Sequence, residues 1–304
     1  MPSIDYANKV FLAPMVRVGT LPFRLLALEY GAVWSEELVD KRIIGSVRKY
    51  NSITNTIEYW KDHSMTFSTH PDEKGRIILQ LGTADADLAL QAALTLKQDV
   101  AGIDVNCGCP KAFSVHSGMG AALLSTPEKL KEILTTLVNN LDVPVTCKIR
   151  LLESKEKTLD LVRMIESTGV KALTVHCRTR DQRPTQKANW EALKDIVQTV
   201  KTIPVVVNGD VFTYEDIARV KEFTGASSVM IARGALCNPS IFSKEGFLPV
   251  EETVKSYIKK CIDVNNGYGN TKYVLLSING NDSKFTKSDR FYTLQKTKSI
   301  QALW

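Results

Sequence analysis

No apolar run in this 304-residue chain approaches the roughly 20 residues that a membrane-spanning helix needs. The amino-terminal stretch MPSIDYANKVFLAPM has no basic segment followed by an apolar one, so no secretory signal is expected. Cysteine occurs six times, yet no pair has Cys-x-x-Cys spacing. Cys107-x-Cys109 is too tight for a zinc knuckle and has no second pair, so a reducing compartment and no structural metal are expected. No Gly-x-Gly-x-x-Gly follows the first β-rich run, which argues against a dinucleotide-binding doubly wound sheet. Acids are short near the end: residues 250–304 carry nine Lys/Arg against five Asp/Glu, or +4 of the chain's +6. A polyanionic partner fits that bias, and on charge alone a solvated basic tail is the simpler reading.

What is present is a globular composition, 44% hydrophobic, with a regular internal order. Short β-rich runs are expected at 10–13, 32–34, 76–81, 103–105, 143–149, 172–176, 204–208 and 227–232, each followed by a helical segment. Eight such units in about 240 residues predict a TIM (β/α)8 barrel over residues 1–245. Residues 40–74 are polar and aperiodic and read as an insertion over one face. A short, incomplete α-helical C-terminal region is expected at 246–278, with helices near 249–265 and from 271. Residues 279–304 lose apolar periodicity and read as a divergent, mobile tail.

The polar residues then fall into register. Pro14-Met15, Gln80, Asn106 to Cys109, Lys148-x-Arg150, His176-x-Arg178, Asn208-Gly209-Asp210 and Ala232-Arg233-Gly234 all follow predicted strands. In a barrel those ends converge on one mouth, where active sites lie. Any one of them alone is ordinary rim chemistry; seven in register are hard to assign to packing. The small residues after the last two strands let backbone amides face an anion, with Arg233 adding charge. That arrangement suits FMN and equally any phosphorylated sugar. Lys148 offers a cation at the centre, and Cys109 a thiol above it.

The stretch GIDVNCGCPKAFSVHSGMGAALL, together with LAPMVRVGTLPFR, EELVD, LQLGT, VTCKIR, VHCRTR, VVNGD, SSVMIARGALCNPSIF and NTKYVLL, resembles the tRNA-dihydrouridine synthases, and most of all their eukaryotic cytosolic D-loop branch. The resemblance covers about residues 8–278. It implies a flavoenzyme that reduces a D-loop uridine of tRNA, at position 20, to 5,6-dihydrouridine, with FMN as cofactor and NADPH or NADH as reductant. By position, Cys109 resembles the acid that protonates C5, and Asn106 a residue that holds the uracil. Pro14, Met15, Gln80, Lys148, His176, Asn208, Gly209, Asp210, Ala232 and Arg233 resemble the FMN shell, and Arg178 one that faces substrate. A thiol suits the acid's role, because it is still protonated at neutral pH yet acidic enough to release its proton. Further expectations are a cytoplasmic or nuclear monomer without membrane attachment. Two other readings are open: an FMN barrel oxidoreductase acting on a free pyrimidine or other small molecule, and a tRNA-binding protein with impaired catalysis. Cys107 stands where this branch often carries Met, and the tail has the look of a truncated or mis-spliced chain.

Overall fold

The structure is a computed structural model and describes residues 4–28, 32–278 and 286–302. Its strands are β1 (Val10–Leu12), β2 (Ala32–Trp34), β3 (Leu38–Val39), β4 (Val47–Asn51), β5 (Thr56–Lys61), β6 (Ser64–Thr69), β7 (Ile77–Gly82), β8 (Gly102–Cys107), β9 (Val145–Arg150), β10 (Leu173–His176), β11 (Val205–Asn208) and β12 (Ser228–Ile231). β1, β2 and β7 to β12 form a parallel sheet that closes on itself through β1–β12 and β2–β7, with β3 paired to the end of β7. This is the expected (β/α)8 barrel.

The strands are apolar on both faces because both are covered. Outward residues such as Leu12, Ile103, Val105, Ile149, Val175 and Val207 pack against the surrounding helices in the main core. Inward residues Phe11, Trp34, Ile78, Ala172, Val206 and Met230 fill the lower half of the barrel, with Tyr6 closing its base. Side chains alternate across a strand, so the next inward positions towards the carboxyl end are Gln80, Asn106, Lys148, His176 and Asn208. Register sets them side by side: Asn106 opposes Lys148, and His176 opposes both Arg150 and Asn208.

Two expectations need correction. Residues 40–74 are not an aperiodic insertion, since β4, β5 and β6 form an antiparallel sheet. β4 is exposed along almost its whole length, so it shows no apolar alternation. Tyr59 and Phe67 supply the buried face, and Arg48 anchors the sheet to Asp99 at 2.7 Å. Beneath it the buried Arg24 guanidinium holds Glu73 through Nε at 2.7 Å and Nη2 at 3.0 Å, and donates to the Gly19 and Ser68 carbonyls. The tail, in turn, is not featureless. A helix spans Asp289–Lys296, its amino end capped by Ser288 Oγ, with Leu294 against the core. One apolar anchor and one cap form a helix without a stripe. The first helix spans Leu21–Ala27; residues 29–31 and 279–285 lie outside the described residues.

Helix Val250–Asp263 packs on the barrel, Tyr257 meeting Phe23 edge-on at 6.1 Å. Helix Tyr268–Ser277 reaches the loop after β1: Asn270 donates to the Arg17 carbonyl at 2.7 Å, and Arg17 lies 4.0 Å over the Tyr273 ring. Among the described residues no helix is long and apolar enough to cross a membrane.

Candidate active site

A pocket of about 200 Å³ opens at the carboxyl ends of the barrel strands. Of the residues singled out from the sequence, Pro14, Gln80, Asn106, Cys109, Lys148, His176, Asn208 and Ala232 line it. Ala13, Val16, Glu37, Gly108, Pro110 and Arg150 complete the wall.

The thiol loop is built from the strand outward. β8 ends at Cys107, and Asn106 Oδ1 then accepts from the amides of Gly108 at 2.9 Å and Cys109 at 3.0 Å. Asn106 therefore shapes the loop that carries Cys109, and only its NH2 end is left for a ligand. Arg150 donates to the Gly108 carbonyl, and the Ala121 amide to that of Cys109 at 3.0 Å. Gly120 has φ +58, and a Cβ there would lie 2.7 Å from the Cys109 carbonyl, which accounts for glycine at this point of the signature. Cys107 is buried on the outward face, 3.5 Å from Cys147.

Below the thiol lies a polar column. Gln80 Nε2 donates to Asp104 at 2.8 Å, and Thr146 Oγ1 donates to the other Asp104 oxygen at 2.7 Å. Burial raises the Asp104 carboxyl to about 6, against these hydrogen bonds and the charge of Lys148. Burial, aided by Arg150, lowers Lys148 to about 8, while Asp104 works the other way. No hydrogen bond reaches the Lys148 ammonium from the described residues, so it faces the pocket with its capacity unspent. His176 is held neutral by burial and by the surrounding Lys148, Arg150, Arg178 and Arg233.

Five candidates stand back from the pocket wall. Arg178 is buried and committed: Nε donates to the Gln186 carbonyl at 2.7 Å and Nη2 to Asp210 at 2.6 Å. It is turned into the rim rather than towards the opening. Arg233 Nη2 shares the same Asp210 oxygen at 2.6 Å, and Asp210 also accepts from the Ala188 amide. Burial opposes ionisation of Asp210, yet these partners hold its carboxyl below the usual range. Gly209, at φ +131, is a backbone conformation closed to side chains, and its carbonyl accepts from Trp190. Met15 packs against the core. The sequence reading missed Glu37, although Glu36-Glu37 follows β2 in register with the other strand ends.

A closed parallel barrel whose mouth gathers a loop-held thiol, a central ammonium and a neutral imidazole belongs among the (β/α)8 enzymes in architecture. Solved structures agree on the fold alone: a 6-hydroxypseudooxynicotine amine oxidase from Pseudomonas geniculata N1 gives a TM-score of 0.54 at 13% identity over 91% of this chain and 52% of its own. Morphinone reductase gives 0.50 at 13% identity over 77% of this chain and 84% of its own. Residues 11–300 match the model of the dihydrouridine synthases (Dus), and the chain belongs to that family. A Schizosaccharomyces pombe protein named tRNA-dihydrouridine(20) synthase [NAD(P)+] is 48% identical over 91% of this chain. The chain spans 61% of that relative's length. A Saccharomyces cerevisiae protein of the same name is 39% identical, over 90% of this chain and 78% of its own.

Proposed function

We propose that this chain reduces the C5=C6 bond of uridine 20 in the tRNA D-loop, using bound FMN and NADPH or NADH, as a cytoplasmic or nuclear monomer. The observation that carries the reading is the Cys109 thiol held over the same pocket as the unspent ammonium of Lys148. The names of the fungal relatives support the substrate and the reductant. The donor set fits FMN: a cation for a ring that becomes anionic on reduction, an acceptor amide end at Gln80 and a neutral imidazole. When bound, that cofactor supplies hydride to uracil C6.

The chain's own residues supply the rest. Cys109 gives its S–H proton to C5, leaving a thiolate that regains a proton from solvent. Asn106 keeps the sulfur at its station through the two loop amides that its Oδ1 accepts. Lys148 would offer its ammonium to the negative charge that the flavin gains on reduction. The uridine must leave its stack to enter, which is cheaper in a tRNA loop than in a duplex.

The test is a visible spectrum of purified protein before and after FMN addition, followed by NADPH-driven bleaching and dihydrouridine analysis of unmodified tRNA. A flavin band, bleaching and dihydrouridine at position 20 are expected. A protein that takes up no FMN, or a reduced flavin that leaves tRNA unchanged, defeats the reading.

A further inference from the structure

We propose that Glu37 is the positioning residue of Cys109: its carboxylate accepts the thiol S–H, keeps the sulfur protonated through neutral pH and sets the pH at which the proton donor is lost; this rests on Cys109 serving as the acid of uridine reduction. Glu37 lies between β2 and β3, where the chain crosses the mouth, and lines the same pocket as the thiol. Its Oε1 accepts from Ser114 Oγ at 3.3 Å. Its Oε2 is buried and completes no hydrogen bond among the described residues. Besides Ser114, the groups that face the Glu37 carboxylate are the Cys109 thiol and the Asn106 side chain, whose Oδ1 is already spent on two amides. Both therefore present donors to a buried acceptor. A buried acceptor left unmade is expensive, so the S–H is drawn to it.

Two glycines keep this corner open. A Cβ at Gly82 would lie 2.5 Å from Glu37 Oε1, and one at Gly120 would lie 2.4 Å from Ser114 Oγ. The charged surroundings are few. β7 contributes Gly82, helix Ala112–His116 contributes Ser114, β8 contributes Asn106 and the loop after it Cys109. The β9 cations Lys148 and Arg150 line the same pocket, Arg150 fastened to the loop that carries Cys109. Burial raises Glu37, and burial followed by the Glu37 charge raises Cys109. A thiolate beside a carboxylate is doubly disfavoured, the reverse of sites where a cation creates a nucleophilic thiolate. A proton donor needs that reversal.

The test reads the thiol directly. Holoenzyme is treated with iodoacetamide across pH 6–10, and alkylation of Cys109 is followed by peptide mass spectrometry, since the thiolate is the reacting form. The native midpoint is expected above the ordinary thiol value of about 8.5. Glu37→Gln should lower it and speed alkylation at pH 7 by about tenfold, the equivalent of one pKa unit. The alkaline limb of tRNA reduction should move down with it, and Glu37→Asp should restore part of the native profile. A native midpoint at or below about 8.5, or a midpoint unmoved by Glu37→Gln, overturns the proposal. The native measurement decides alone if the variant does not fold. Full tRNA reduction by Cys109→Ala would remove the acid role itself, while the alkylation shift separately reports whether Glu37 governs the thiol.

Discussion

Arg150 Nε donates to the Gly108 carbonyl at 2.7 Å, so the strand after the thiol loop fastens that loop in place. Its Nη1 donates to the Thr179 carbonyl at 3.0 Å, tying the next loop to the same fork. Arg150→Met keeps the bulk of the side chain and removes both ties. With the sulfur free to drift by about an ångström, single-turnover tRNA reduction should fall by about 10²-fold while bound flavin is retained. Rapid mixing of pre-reduced enzyme with tRNA measures this, and a native rate would mean the loop holds itself.

Removing the thiol should separate the two half-reactions. Cys109→Ala is expected to keep FMN and its reduction by NADPH, because neither needs a proton at uracil C5. Dihydrouridine formation should slow by roughly 10²–10⁴-fold, the usual worth of a positioned acid. Comparable losses in both half-reactions would point to a collapsed pocket instead.

Lys148 makes flavin retention depend on pH. Its folded value of about 8 lies below the ordinary 10.5, so the folded protein loses this proton as pH rises through 8. The pocket then loses its central cation, and FMN should dissociate more readily above pH 8 than at pH 7. Apoprotein stability should move the opposite way between 8 and 10.5, where the unfolded chain binds the extra proton. Dialysis at graded pH with flavin fluorescence checks the first effect, and Lys148→Met should abolish the pH step while weakening retention throughout.

The pair of Arg24 and Glu73 should govern stability without touching chemistry. Both are almost wholly buried, and the arginine's remaining donors are also satisfied. Glu73→Gln leaves the buried Arg24 charge with only the longer, 3.8 Å pairing to Glu36, at a cost of about 3–5 kcal/mol. Denaturant unfolding should register that loss. Unchanged stability would show that water or a neighbouring acid takes over the guanidinium.

The barrel was legible because a parallel sheet covered on both faces writes itself as repeated apolar runs with helices between them. The pocket was legible where a polar residue ends such a run, as Gln80, Asn106, Lys148, His176 and Asn208 do. Contacts distant in sequence were not. Nothing local to His176-x-Arg178 reveals that Asp210, 32 residues on, takes the guanidinium away from the opening. Glu37 was passed over because its partners, Cys109 and Ser114, come from β8 and beyond. The β4–β6 sheet escaped notice because its outer strand faces water, and the helix Asp289–Lys296 because one leucine anchors it.

The bond between Gln80 and Asp104 has a consequence for what the mouth will admit. A glutamine free to turn over can greet a donor or an acceptor equally. Here the carboxylate below claims the NH2 end, so the amide is locked with its carbonyl uppermost. A flat ring offering an N–H at that edge is welcomed, and one offering a carbonyl there meets repulsion. The barrel thus checks which way round a heterocycle lies before any reaction begins.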